Sequence, residues 1–278
     1  MKICITTTFD NAYSLAGGTL IRSIRNHTDC TGIDFKIITA DPEVIRQIGA
    51  DMCHFVNPAI KDRYKNVAYY GALPPERYCH SWYRFELFSF SHYDRVICID
   101  SDCICAEDIS YLFSEELNEF DLCSVEDHIV SKTWAHDFSA LQKQGMDPTY
   151  FAQRMKEGKI DIQPALIVAN KSIVNEAWYN RLIQYANTTA FTYSIDQGIL
   201  NNFIYQENLK IKLLPLEWDY QDLYEIQVPG LPVPEKPIIV HCQQSKPFRT
   251  NKEAIDPRLH KWHDLWWREY YAPGQTGH

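Results

Sequence analysis

Asp100 and Asp102 stand one residue apart in 94-DRVICIDSDCICAED-108, where an apolar run through Ile99 stops. Side chains alternate along an extended chain, so both carboxylates would project to one side with Ser101 opposite. Two hard oxygen ligands on one side suit Mg2+ or Mn2+, and such a cation can grip a diphosphate. Read alone, the pair serves equally as a turn or a helix cap, the commoner use of D-x-D. His241 ends a second apolar run, 237-PIIVHC-242, as a ligand or as a satisfied histidine at a strand end. Asp196 and Gln197 open the helical pattern 195-IDQGILNNFIY-205, where Asp196 can also act as N-cap.

The surrounding elements must deliver these groups. Strand patterns at 2–7, 34–40, 52–56 and 95–100 alternate with helical periods at 12–27, 42–50 and 78–93. That alternation predicts a Rossmann-like α/β fold with a mostly parallel central sheet, in which ligands gather at the carboxyl ends of strands. Further strands are expected at 119–125, 162–170 and 237–242, and helices at 171–187, 195–205 and 258–271. A loop over 57–77 and a helical insert at 137–157 complete the pattern, with no composition break marking a second domain across 1–278.

The 278 residues are 45% hydrophobic, enough for a sizeable core, and 36 acidic against 27 basic residues give a net charge of −9. Nucleic acid is therefore not an expected partner, and any phosphate must be held locally or through a metal. The nine cysteines follow no disulfide framework and read as reduced thiols, with Cys103 and Cys105 as small packed side chains. The opening MKICITTTF lacks a signal-peptide core, and no apolar run nears a membrane span, which predicts a cytoplasmic protein.

Four separated stretches together resemble glycosyltransferase family 8, the retaining glycogenin-like and bacterial galactosyltransferase-like enzymes, over about 2–250. They are 6-TTTFDNAYSLAGGTLIRSI-24, 83-YRFELFSFSHYDRVICIDSD-102, 196-DQGILNNF-203 and 240-VHCQQSKPF-248. The resemblance implies a GT-A type fold and transfer of a sugar from a UDP-sugar to an acceptor hydroxyl with retention of configuration. The acceptor class stays open among glycan, lipid-linked and protein hydroxyls. By position, the resemblance assigns Asp100, Asp102 and His241 to Mn2+ or Mg2+, and Asp196 and Gln197 to the reacting sugar carbon. It assigns Thr7, Thr8, Asp10, Tyr13, Arg84, Asp100, Ser101, Gln163 and Lys246 to the nucleotide sugar, with the Tyr13 ring against the base.

Two departures from the family pattern stand out. Four residues rather than five separate His241 from Lys246, without the usual glycine, and Gln163-Pro164-Ala165 replaces an Asn-small-Gly segment. A catalytically silent nucleotide-sugar or glycan-binding module is the rival reading from another class. A nucleotidyltransferase is a further rival, because 15-LAGGTLIRS-23 echoes a phosphate loop, although it falls inside a helical pattern. The aromatic tail 262-WHDLWWREYYA-272 fits packing on the domain, a homodimer contact or a peripheral membrane contact.

Overall fold

The computed structural model describes residues 1–56, 82–133, 153, 156–188 and 196–272. The loop expected at 57–77, most of the insert at 137–157 and the first turn of the helix expected at 78–93 lie outside the described residues.

Among the described residues ten strands form two sheets. They are β1 (Ile3–Thr8), β2 (Asp34–Thr39), β3 (Cys53–Phe55), β4 (Arg95–Ile99), β5 (Cys103–Cys105), β6 (Leu122–Glu126), β7 (Ile162–Asn170), β8 (Ile211–Leu214), β9 (Tyr220–Gln221) and β10 (Ile239–His241). The main sheet runs β3-β2-β1-β4-β7-β6-β8, and a small sheet runs β5-β10-β9. Neighbours in the main sheet are parallel except at β7, which is antiparallel to both β4 and β6. This is the expected mostly parallel sheet.

Its strands are apolar on both faces because helices cover both. Along β4, Val96 and Cys98 enter one core cluster with Trp178, Leu182 and Phe203, while Ile97 and Ile99 enter the other with Leu20 and Ile24. Among the described residues the α-helices are α1 (Ser14–His27), α2 (Pro42–Ile48), α3 (Glu176–Thr188), α4 (Asp196–Gln206), the single turn α5 (Tyr224–Gln227) and α6 (His260–Tyr271). The stretch 15–23 lies in α1, not in a phosphate loop, and Gly17 is required there because a Cβ would sit 2.2 Å from the Phe9 ring.

Three expectations change. Arg84–Ser89 is a 3-10 helix rather than part of an α-helix, since three-residue spacing of buried aromatics at Phe85 and Phe88 satisfies either period. The helix expected from 171 begins at Glu176, after a turn in which Ile173 and Val174 N–H groups donate to Asn170 O. The strand expected at 237–242 narrows to β10 and joins the small sheet.

Helix α6 packs on α1: Arg22 donates to Tyr270 O, and His27 Nε2 lies 3.1 Å from Glu269 Oε2. Trp266 is fully buried against Phe248 and Tyr270, while Tyr271 at the end is exposed. Among the described residues no helix is long and apolar enough to cross a membrane.

Candidate active site

The extended geometry expected through Asp102 stops at Ile99. Asp100 N–H donates to Ala165 O at 2.9 Å and Cys103 N–H donates to Asp100 O at 3.0 Å, so 100–103 is a tight turn. The turn still gathers both carboxylates. β5 leaves it and pairs antiparallel with β10, Cys103 opposite His241, and Cys242 N–H donates to Asp102 O. His241 Nε2 thereby lies 3.2 Å from Asp102 Oδ1. One ligand atom from each of Asp100, Asp102 and His241 lies within 4.8 Å of the others, a mixed oxygen and nitrogen set that fits a divalent cation.

Lys246 Nζ holds the other oxygen of Asp102 at 3.0 Å. Burial would raise the Asp102 carboxyl, yet His241 and Lys246 hold it well below the usual carboxylate range. Burial likewise opposes charge on His241, and Asp102 and Asp219 overcome it, raising the imidazole to about 9. The shortened loop reaches because the buried Asp222 carboxylate accepts from Gln244 and Ser245 N–H, both at 2.8 Å. Lys246 itself then turns with φ 33°, a left-handed conformation that costs a residue with a Cβ roughly 1–2 kcal/mol.

Arg84 lies opposite. Its Nη1 donates to Pro164 O at 2.7 Å, its Nη2 lies 2.9 Å from Asp100 Oδ1, and its Nε lies 2.7 Å from Asp196 Oδ2, the last an ion pair without hydrogen-bond alignment. The fork assigned to the donor is thus engaged with two carboxylates. Asp196 opens α4, and burial raises it to about 6 against the pull of Arg84. The next residue, Gln197, donates through Nε2 to Asp127, which leaves the amide's carbonyl oxygen as its acceptor end.

A cavity of about 350 Å³ joins these groups, lined by Arg84, Asp100, Asp102, Gln163, Pro164, Asp196, Gln197, His241, Gln243 and Lys246. The remaining expected residues, Thr7, Thr8, Asp10, Tyr13 and Ser101, are not among those that line it. Ser101 is buried inside the turn, and Asp10 Oδ1 accepts from Tyr13 N–H. Thr7 and Thr8 end β1 with buried hydroxyls that have no hydrogen-bond partner among the described residues. Tyr13 is tied to the cavity by Lys246 Nζ, 3.4 Å from its hydroxyl, and the Arg249 guanidinium lies over its ring at 4.1 Å.

The family model described as glycosyl transferase family 8 matches residues 4–252. The chain belongs to that family. It shares its fold with the bifunctional glycosyltransferase WbbM, at TM-score 0.67 and 20% identity over 97% of this chain and 50% of that one. The glycosyltransferase GlyE of Streptococcus pneumoniae TIGR4 gives TM-score 0.63 and 17% identity over 98% of this chain and 61% of that one. The galactosyltransferase LgtC, solved with donor and acceptor sugar analogs, gives 0.58 and 16%, with 97% of each chain covered. The chain therefore spans about half the length of WbbM and about three-fifths of GlyE. A search among curated protein sequences finds no match.

Within this family 8 chain, Asp127, Asp219, Asp222 and Gln243 belong to the site or its support and are missed by sequence reasoning. Asp127 carries a usable signal, an acid just past an apolar strand, as Asp100 is. The other three lie in short irregular segments without periodicity.

Proposed function

We infer that this glycosyltransferase moves a sugar from a UDP-sugar to an acceptor hydroxyl with retention of configuration, and that it needs Mn2+ or Mg2+. The observation that carries the reading is the convergence of Asp100, Asp102 and His241 on one wall of a cavity whose other walls hold Arg84, Asp196 and Gln197. Asp100, Asp102 and His241 hold the cation, which when bound supplies positive charge to the diphosphate of the donor. Lys246 adds an ammonium on the same side, suited to a phosphate as a point charge.

At the nucleotide end, the hydroxyls of Thr7 and Thr8 without partners among the described residues take polar contacts, and the Tyr13 ring, beside Arg249 and Phe248, takes the base. Ser101 shapes the turn between the metal-holding carboxylates, and Asp10 fixes the turn that carries Tyr13. Arg84 braces Asp100 against Asp196 beside the sugar, where Gln163 offers a second amide. Asp196 and the Gln197 carbonyl oxygen stabilise positive charge that develops at the sugar carbon. We assign the reaction to one catalytic domain within 2–250 and leave acceptor choice to the loops around it.

A panel of nucleotide sugars assayed with Mn2+ for UDP release and for thermal stabilisation tests the reading. One UDP-sugar should raise the melting temperature and be turned over, and Asp102→Asn should abolish turnover and the Mn2+-dependent part of UDP affinity. Stabilisation without any transfer would favour a silent binding module, and full activity in the presence of a chelator would remove the metal.

A further inference from the structure

Asp219 is fully buried just ahead of β9, and neither carboxylate oxygen has a hydrogen-bond partner among the described residues. A carboxylate so placed is expensive unless something answers it. His241 Nδ1 is also buried without a hydrogen-bond partner among the described residues, and it lies 4.0 Å from Asp219 Oδ1. Pairing of β10 with β9 sets His241 opposite Gln221, two residues beyond Asp219, so the backbone fixes this approach. The other ring nitrogen points the opposite way, 3.2 Å from Asp102. The imidazole is thus strung between a carboxylate of the metal-holding group and a carboxylate behind it.

We propose that Asp219 is a positioning residue for His241, accepting the Nδ1 proton so that the Nε2 lone pair is presented to the divalent cation. This rests on reading Asp100, Asp102 and His241 as the metal-holding group. A histidine that ligates through Nε2 must carry its proton on Nδ1, and a carboxylate on that proton fixes both tautomer and ring orientation. An approach of about 1 Å converts the present separation into a hydrogen bond. Cys103 lies in the same buried cluster, its sulfur within 4.8 Å of ligand atoms of Asp219 and His241. A thiol there suits packing, because Mn2+ and Mg2+ prefer oxygen and imidazole to sulfur.

Titration of the full chain with Mn2+ alone, by calorimetry or by the free-ion electron paramagnetic resonance signal, tests the proposal. Asp219→Ala should weaken Mn2+ binding by about 10–100-fold, and Asp219→Asn, which keeps an oxygen acceptor but no charge, by less. Cys103→Ser should leave the affinity unchanged. Because Asp219 acts through the ring, Asp219→Ala added to His241→Ala should weaken binding no further than His241→Ala alone. Full additivity of the two, or an unchanged affinity in Asp219→Ala, overturns the proposal while leaving the metal group standing. Failure of the unsubstituted protein to bind Mn2+ overturns both. Should Asp219→Ala not fold, the Asp219→Asn pair with and without His241→Ala carries the same comparison.

Discussion

Arg84 Nε and Asp196 Oδ2 lie 2.7 Å apart, with the two side chains only 11% and 7% exposed. The same guanidinium holds Asp100, so one cationic side chain joins the catalytic candidate to the turn of the candidate metal group. Arg84→Met would strand two carboxylates at a site that is mostly out of water. Breaking such a pair costs about 3–5 kcal/mol, and at 2–4 °C per kcal/mol for a chain of this size the melting temperature should fall by roughly 10 °C. Turnover should be lost as well. Scanning calorimetry of Arg84→Met, with Arg84→Lys as the milder variant, checks this. A melting temperature within 2 °C of the parent would mean that the pair contributes little.

Lys246 pairs with Asp102, a carboxylate of the candidate metal group. Its two proposed tasks therefore pull in opposite directions. Lys246→Met should strengthen Mn2+ binding in the absence of nucleotide, because a competing charge is gone. The same substitution should weaken binding of UDP in saturating Mn2+ by about tenfold, corresponding to loss of one charge-assisted contact. Calorimetric titrations of metal and then nucleotide report the two signs separately. Weakening of both would show Lys246 acting through the loop structure alone.

Asp127 gives a pH signature. Burial raises its carboxyl to about 6, against hydrogen bonds from Gln197 and the N–H groups of Val130 and Ile129, and Asp161 adds to the rise. The unfolded chain releases that proton near pH 4, about two units earlier. Between pH 4 and 6 the folded state therefore holds more protons, and this group's contribution to stability falls as pH rises, by up to ~3 kcal/mol, then levels off. Asp127→Asn keeps the acceptor for Gln197 and removes the titration. Urea unfolding at pH 4.5 and pH 7.5 should show the variant gaining on the parent at the higher pH. Equal differences at both values would contradict the assignment.

Stereochemistry bears on Asp196 and Gln197. Neither residue abstracts a proton in the scheme proposed above, and the cavity offers them as stabilisers of charge at the sugar carbon. An α-linked UDP-sugar should yield an α-linked product, read from anomeric proton couplings by NMR. Asp196→Ala and Gln197→Ala should each lower kcat by two or more orders of magnitude with UDP affinity little changed, because the stabilisation grows only toward the transition state. A β-linked product would exclude retention.

The parts of this site that sequence exposes are those where a readable apolar or helical run of sequence meets a polar residue. Asp100 closes β4, Asp196 opens α4 and His241 closes β10, and each follows or begins a readable apolar pattern. β5, β8 and β9 escape notice because two to four residues cannot establish a period of two. Asp219 and Asp222 escape with them, since nothing in 216-LEWDYQD-222 distinguishes a buried acid from a solvated loop. The Arg84 fork is visible as a residue but not as a brace, because its partners arrive from two other elements. Tertiary pairing, absent from any window of sequence, decides such roles.

β7 runs against its two neighbours, so its first residues meet the place where β4 stops. Gln163 and Pro164 thus reach the cavity from a strand's beginning, while Asp100 and Asp102 reach it from a strand's end. The entry to β7 touches the turn through backbone carbonyls, Ala165 O accepting from Asp100 N–H and Pro164 O from Arg84, so side chains at 163–164 can change while those bonds stay. Libraries randomised at 163–164 would vary side chains at the cavity while the carbonyls of residues 164 and 165 continue to hold Arg84 and the turn.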